Sequence, residues 1–236
     1  MNSRNIRISD YKEKMPNIAL IVAMRTELPY GFKNTGGIFQ IGNNVIRVAV
    51  SGIGPNRACR TAQRMCAGLP GYHPDLLINA GFCGAVIDEL QVGHLIIANR
   101  LAYRDREIQL NNSPTDKIVA LFAGFKYRVG KLQTFSWPVL SRAGVVGDTL
   151  AVDMEAFAIA RTAAMYQVPS LVIKAVSDIV PQHAGLFSLL TLVRNLKINS
   201  KTARDRLSMI VKKIFENQYL FNESEAIRPE TAKTRG

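Results

Sequence analysis

The sequence predicts one large α/β domain, and three features of the chain support that fold class. The chain has 236 residues, of which 47% are hydrophobic, so it is long and apolar enough to bury a sizeable core. Short continuous apolar runs such as residues 17–24 (NIALIVAM) are typical of strands that are covered on both faces. Between such runs, other segments carry apolar residues at helical spacing, so strands and helices alternate.

The N-terminal half is predicted to contain five strands and one helix. The strands are residues 17–24, two short segments around Gly42 of which the second is residues 45–52, residues 74–80, and residues 92–99. The two segments around Gly42 are expected to pair as an antiparallel hairpin. The helix begins near Arg57, because Pro55 is compatible with a first helical turn. The glycine-rich residues 81–85 are interpreted as a loop that follows the strand at residues 74–80.

The C-terminal half is predicted to be less regular at first and then mainly helical. Its expected elements are connecting loops with a short helix at residues 116–122, a strand at 127–132, a small-residue helix after Glu155, a strand at 171–176, and helices at 181–196 and 203–215. The predicted domain spans residues 17–221. A flexible arm at residues 1–16 precedes it, and a polar, disordered tail at residues 222–236 follows it.

The composition restricts the cellular setting more than the function. The net charge of +12 favours anionic surroundings, such as nucleic acid, an anionic membrane surface or phosphorylated ligands, without choosing among them. The three cysteines are odd in number and lack metal spacing, so a reduced, cytoplasmic protein is expected. Because no apolar run approaches the length of a bilayer span and no signal-peptide core is present, neither export nor membrane insertion is expected.

Acidic residues near the ends of predicted strands point to a functional site. Glu27 follows the first strand, Glu155 precedes a helix, and Asp178 ends the strand at residues 171–176. In open α/β sheets, ligands bind outside the carboxyl ends of the strands. Three carboxyl groups in a glycine-lined pocket suit cleavage of a glycosidic bond. One protonates the leaving group, one activates water, and one accepts hydrogen bonds from sugar hydroxyls.

Five motifs, in this order, resemble the nucleoside phosphorylase superfamily of the purine and uridine phosphorylase type. They are M-x-x-E after the first strand, SGIGxxxA, NAGFCGA, VDMEAxAIA, and a strand that ends in SD. The resemblance covers residues 18–215 and is strongest to the methylthioadenosine/S-adenosylhomocysteine nucleosidase branch. It implies a three-layer α/β/α fold with a mixed, partly barrel-like central sheet, and a homodimer or higher homo-oligomer. No cofactor is expected, and no metal, because the histidines lack metal-ligand spacing.

The resemblance also implies roles for individual residues. Glu27 activates the attacking water, and Asp178 protonates the purine at N7. Glu155 holds the ribose hydroxyls, Met154 packs against the sugar, and Ser177 orients Asp178. The remaining residues expected to bind substrate lie in the two glycine-rich segments and at two aromatic positions: Ser51, Gly52, Ile53, Gly81, Phe82, Cys83, Gly84, Phe135 and Trp137. Asp153 is expected to be structural, as an acid that complements the dipole of the following helix.

Two positions depart from the phosphorylase pattern and leave alternatives open. Phosphorylases of the superfamily hold phosphate with a Ser in the glycine-rich loop and an Arg before it, where this chain has Phe82 and Asn79. Because Glu27 would also repel phosphate, hydrolysis is favoured. A phosphate-dependent purine nucleoside phosphorylase that uses Arg25 and Arg57 remains an alternative. Another is a catalytically weak nucleoside-binding or nucleic-acid-binding member of the fold, although no nucleic acid partner is expected.

A second resemblance concerns the substrate. Residues 185–207 are similar to the hopanoid-associated nucleosidases, which release adenine from adenosylhopane, a membrane lipid. The basic, amphipathic character of this segment suits contact with an anionic bilayer. The expected substrate is therefore a small nucleoside, namely a 5'-modified adenosine of the methylthioadenosine, S-adenosylhomocysteine or adenosylhopane kind. The enzyme is expected to be cytoplasmic, with possible peripheral contact at the inner membrane face.

Overall fold

The structure, a computed structural model, describes residues 15–32, 37–110, 118–185 and 188–217. Within these ranges nine strands belong to one sheet: β1 (Asn17–Val22), β2 (Ile38–Ile41), β3 (Asn44–Val50), β4 (Leu76–Ala85), β5 (Leu95–Tyr103), β6 (Arg106–Gln109), β7 (Tyr127–Thr134), β8 (Thr149–Asp153) and β9 (Ser170–Ile179). The helices are α1 (Pro55–Cys66), α2 (Ala156–Met165) and α3 (Ser188–Glu216), and 3-10 turns lie at Arg25–Glu27 and Ala120–Phe122. Nearly all of the predicted arm at residues 1–16 and the whole of the predicted tail at residues 222–236 lie outside the described residues.

The sheet is mixed and partly closed, as predicted. Its strand order is β2-β3-β1-β4-β8-β7-β5-β6, and β9 pairs with both β4 and β5. The five strands β4, β8, β7, β5 and β9 therefore form a closed ring, while β1, β2 and β3 extend from it as an open sheet. β2 and β3 pair antiparallel, which confirms the predicted hairpin.

Helices cover both faces of the open part of the sheet. Successive side chains of a strand point to opposite faces, and β1 shows the result. Ile18 and Leu20 pack in a buried cluster with α3, whereas Ala19 and Ile21 pack in a separate cluster with α1 and α2. The three-layer α/β/α arrangement is thereby confirmed. It places α3 on the face of the sheet opposite to α1 and α2.

The glycine-rich residues 81–85 are part of a strand, so their interpretation as a loop was wrong. β4 continues through Ala85 and pairs in parallel with β9 along nearly its whole length, with one register shift after Cys83. These glycines serve close packing rather than a turn. A Cβ on Gly81 would lie 3.0 Å from Glu27 Oε1, and a Cβ on Gly84 would lie 2.8 Å from Val180 Cγ2. β9 likewise runs past its predicted end, so Asp178 lies inside the strand.

Two other predictions are corrected, and a third agrees with the structure. The two helices expected at residues 181–196 and 203–215 form one helix, α3, because the polar residues between them include neither Gly nor Pro. The short helix expected at residues 116–122 agrees with the structure, because the described residues 118 and 119 are α-helical and the 3-10 turn Ala120–Phe122 follows them. The predicted loops between residues 100 and 150 contain two strands, β6 and β8, and β8 carries Asp153 at its end. None of the described helices combines the length and apolar character needed to cross a bilayer.

Candidate active site

Four acidic residues line one cavity of about 180 Å³ at the ends of β1, β8 and β9. They are Glu27, Asp153, Glu155 and Asp178, and each of them is less than 10% exposed. The other lining residues are mostly apolar: Ala23, Met24, Ile53, Phe82, Cys83, Gly84, Pro138, Val139, Val152, Met154, Ser177, Val180, Leu192 and Leu196. None of the described lining residues is Arg, Lys or His.

Backbone N–H groups fix the carboxylate of Glu27. The residue lies in the 3-10 turn that directly follows β1. Its Oε2 accepts hydrogen bonds from the N–H groups of Ala23 at 2.7 Å and Met24 at 2.8 Å, and its Oε1 accepts one from Phe82 at 2.9 Å. Burial raises the pKa of Glu27, while the charge of Lys174 and these three N–H groups oppose the rise. The carboxylate is thus held in one orientation beside the cavity.

The loop before α1 holds Glu155. Gly54 has a φ of 99°, a backbone conformation that favours glycine, and its N–H donates to Glu155 Oε1 at 2.7 Å. Burial and, next, the charge of Asp153 raise the pKa of Glu155 to about 7, against the opposing charge of Lys174. The side chain therefore titrates near neutral pH. In either state it keeps oxygen atoms that can bond to hydroxyl groups.

Asp178 has a different environment from Glu27. Ser177 Oγ donates to Asp178 Oδ1 at 2.7 Å, and the backbone oxygen of Ser177 accepts a bond from Asn199 of α3 at 3.0 Å. Burial raises the pKa of Asp178, and the Ser177 hydroxyl opposes the rise. A buried carboxyl group without a paired cation holds its proton more readily than an exposed one. These features are those of a general acid.

Sequence reasoning missed Lys174, which lies behind the acids. Its Nζ is 2.9 Å from Asp153 Oδ2, and both side chains are buried, with 1% and 0% of their area exposed. Asp153 also accepts bonds from Thr134 Oγ1 at 2.6 Å and from the N–H of Ala156, at the start of α2, at 2.8 Å. Asp153 thus does more than complement a helix dipole. The signal in the sequence was a lone lysine in an apolar strand, since a buried lysine needs a partner.

The predicted binding residues divide into three groups. Besides the acids, the cavity lining contains Ile53, Phe82, Cys83, Gly84, Met154 and Ser177. Ser51, Gly52 and Gly81 lie behind that lining: the N–H groups of Ser51 and Gly52 donate to Val22 and Ala23, and Gly81 packs against Glu27. Burial raises the pKa of the Cys83 thiol, as expected for a packing role.

Phe135 and Trp137 line a neighbouring cleft of about 820 Å³ instead. Trp137 is 80% exposed, and Phe135 packs beside a small apolar cluster. Pro138 and Val139, which sequence reasoning missed, line both the cleft and the cavity. Which residues of this loop face the acids depends on its backbone path, and no sequence pattern indicates that path.

Comparisons with known proteins agree with this fold. The sequence profile of the Phosphorylase superfamily matches residues 13–136, which is more than half of the chain. A Listeria monocytogenes 5'-methylthioadenosine/S-adenosylhomocysteine nucleosidase is 26% identical over 204 residues, covering 74% of this chain and 83% of the relative. The corresponding Staphylococcus saprophyticus protein is 27% identical over 140 residues, covering 49% of this chain and 61% of the relative.

Solved structures show the same fold. The Streptococcus pneumoniae 5'-methylthioadenosine/S-adenosylhomocysteine nucleosidase, bound to a transition-state inhibitor, superimposes with a TM-score of 0.71 at 21% identity, covering 85% of this chain and 98% of that one. The futalosine hydrolase of Helicobacter pylori gives a TM-score of 0.69 at 19% identity, covering 84% and 98%. The profile match and the shared fold together show that this chain belongs to the phosphorylase superfamily.

Proposed function

We propose that this protein is a purine-nucleoside N-glycosidase, which hydrolyses a 5'-modified adenosine and releases adenine. The observation that carries the proposal is the set of three carboxyl groups, Glu27, Glu155 and Asp178, which have different partners and line one cavity. The nucleosidases among its relatives add support. The roles of the individual residues are part of the proposal.

The attacking water and the leaving purine interact with different carboxyl groups. Glu27, whose carboxylate is held by three N–H groups, accepts a proton from water as the water attacks C1' of the sugar. Asp178 donates its proton to N7 of the purine as the glycosidic bond breaks, so adenine leaves as a neutral base. Glu155 bonds to the ribose hydroxyls, and its charge stabilises the oxocarbenium-like transition state.

The lining of the cavity favours hydrolysis over phosphorolysis. Phosphate binding needs cationic or hydrogen-bond-donating side chains, and the described residues of the lining include four acidic residues and no basic residue. Phe82 cannot donate a hydrogen bond from its side chain. Arg25 and Arg57, the two candidates for holding phosphate, are exposed and do not line the cavity.

The apolar part of the cavity suggests where the 5' substituent binds. Leu192 and Leu196 of α3 line the cavity, and Leu189, Leu190 and Val193 of the same helix are exposed beside them. A hydrophobic 5' group would therefore leave the cavity along α3. This arrangement fits a lipid-linked adenosine such as adenosylhopane as well as a short methylthio group.

The same end of α3 is suited to contact with an anionic membrane. Its exposed leucines and valine are interspersed with the exposed basic residues Arg194, Lys197 and Lys201. Each basic residue near an anionic surface contributes about 1 kcal/mol to binding. We therefore propose that the protein is cytoplasmic, contacts the membrane through α3 and forms a homo-oligomer.

The proposal is tested by measuring adenine release with and without added phosphate. The substrates are methylthioadenosine, S-adenosylhomocysteine and an adenosyl-lipid, the last presented in anionic vesicles. We expect release from at least one of them at a rate that phosphate does not change. A strict requirement for phosphate would identify a phosphorylase. Tight adenine binding without turnover of any of the three would identify a binding protein.

A further inference from the structure

A groove rich in arginine lies between β3 and α1, outside the candidate active site. It consists of two adjoining cavities of about 260 and 480 Å³, which share Thr61 and Arg64. Arg47 of β3 lines the first cavity, and Arg57 and Arg60 of α1 line the second. Four arginine residues thus line the two adjoining cavities.

Two nitrogen atoms of the Arg47 guanidinium group are buried without a partner among the described residues. These atoms, Nε and Nη1, have no hydrogen-bond partner in the part of the chain that the structure describes. Burying a charged donor without a partner is costly, so such a group needs an explanation. A bound anion provides one, because it would supply acceptor atoms and an opposite charge together.

The other arginines are free to join Arg47. No described carboxyl group lines either cavity, and none of the four arginines forms an ion pair with a described residue. Arg64 Nη2 donates only to Thr61 Oγ1, at 3.1 Å, among the hydrogen bonds of the described residues. The stem of Arg57 packs on the backbone, where its Cδ lies 3.0 Å from the position of a Cβ on Gly52.

We propose that this groove binds a small molecule that carries a phosphate or diphosphate group. The planar, forked guanidinium group matches the oxygen atoms of phosphate and forms paired, charge-assisted hydrogen bonds with them. The groove is distinct from the active site, since the 51–54 loop separates them: Ser51 lines the groove, and Ile53 lines the active-site cavity.

The position of the groove favours a free ligand over a lipid headgroup. α1 covers one face of the sheet, whereas α3, with its exposed leucines, covers the other. If the protein contacts a membrane through α3, the groove therefore faces away from the bilayer. This step rests on the membrane contact proposed above, but binding of phosphate in the groove does not.

The test is calorimetric titration of the whole protein with inorganic diphosphate and inorganic phosphate at low salt. We expect saturable binding that weakens by about tenfold or more in Arg47→Gln and in Arg64→Gln, since each loses charged hydrogen bonds. Arg64 is exposed, so its substitution does not threaten folding. Arg128→Gln, an exposed position on β7, is the matched control and should bind as the wild type does.

Thermal unfolding gives a second readout. Diphosphate should raise the Tm of the wild type and of Arg128→Gln but not that of Arg47→Gln, because a ligand stabilises the folded state that binds it. Binding that is absent in the wild type, or equal in all three arginine variants, would overturn the proposal. Binding only to phosphatidate vesicles, lost in Arg47→Gln, would overturn the assignment to a free ligand. Adenine release is not needed for either measurement, so failure here leaves the proposed hydrolysis standing.

Discussion

Glu27 and Asp178 are both buried carboxyl groups in one cavity, yet their surroundings differ in kind. The carboxylate of Glu27 accepts hydrogen bonds from three backbone N–H groups and lies near the charge of Lys174. The carboxyl group of Asp178 accepts a hydrogen bond from the hydroxyl group of Ser177, and no cation is among the causes that act on its pKa. Donors and cations stabilise a carboxylate, whereas burial alone favours the protonated acid. Burial raises the pKa of both groups, but it is opposed by more donors and by a cation at Glu27, which supports the proposed roles of Glu27 as the base and Asp178 as the acid.

The largest expected effect is that of Glu27→Gln. The amide cannot take a proton from water, so kcat should fall by about 10² to 10⁴ for every substrate. Adenine release at substrate saturation measures this loss. The amide nitrogen of Gln would face backbone N–H groups, which is unfavourable for folding. Thermal unfolding therefore checks that the variant is folded, and Glu27→Asp, which keeps a carboxylate, is the control variant. Near wild-type turnover in folded Glu27→Gln would contradict its role as the base.

Asp178→Asn should cause a loss of similar size with adenosine substrates, because adenine then leaves without a proton at N7. The pH profile of kcat/KM distinguishes this acid from the base. An acid must be protonated to act, so activity should fall as pH rises through the raised pKa of Asp178. In Asp178→Asn this alkaline decline should disappear. If it stays unchanged in the variant, Asp178 is not the group that titrates there.

Lys174→Met tests the buried ion pair between Lys174 and Asp153. It leaves the carboxylate of Asp153 buried without its partner, so the free energy of unfolding should fall by about 3–5 kcal/mol. Urea unfolding measures the change, and Lys174→Arg, which keeps the charge, is the matched control. Since Lys174 also lowers the pKa of Glu155, that pKa should rise above about 7 in the Met variant. A variant as stable as the wild type would contradict the buried ion pair.

Two glycine substitutions disturb the two acids separately. A Cβ at position 81 would lie 3.0 Å from Glu27 Oε1, and one at position 84 would lie 3.0 Å from Asp178 Oδ2. A small displacement of a reacting group typically lowers the reaction rate about tenfold to a hundredfold. Gly81→Ala should therefore affect all substrates, whereas Gly84→Ala should affect mainly those whose leaving group needs a proton. The measurement is kcat for each variant with both kinds of substrate.

The smallest expected effect is that of Ser177→Ala. The Ser177 hydroxyl lowers the pKa of Asp178, so its removal should raise that pKa and move the alkaline decline of kcat/KM to higher pH. The lost hydrogen bond should cost about tenfold or less in kcat. Ser177→Thr, which keeps a hydroxyl group, should restore the wild-type profile. A profile that moves to lower pH would contradict the assigned direction.

The sequence was sufficient to predict the fold class and to predict that the acidic residues lie in one site. Apolar runs that stop indicate strand ends, and Glu27 and Asp178 lie beside such ends, whereas Glu155 lies at the start of a predicted helix. Lys174 was not predicted because its meaning depends on Asp153, which lies on another strand of the ring. Gly81 was misread because glycine indicates either a turn or close packing, and only the neighbour in space decides between them.

Helix and loop geometry were the other limits. The polar residues between the two apolar parts of α3 suggested a break, although without Gly or Pro the helix continues. In the loop after β7, the aromatic residues Phe135 and Trp137 attracted attention for their chemistry. The backbone instead brings Pro138 and Val139 to the cavity. Residue type predicts what a side chain can do, but in a loop it does not predict where the side chain lies.

The most direct test of the account is to compare the two acid variants on a riboside whose leaving group needs no protonation, such as a nitrophenyl riboside. Glu27→Gln should be as impaired on this substrate as on an adenosine, because water must still be activated. Asp178→Asn should recover most of the wild-type rate, because no proton is required by the leaving group. Equal impairment of both variants on both substrates would contradict the division of roles between Glu27 and Asp178.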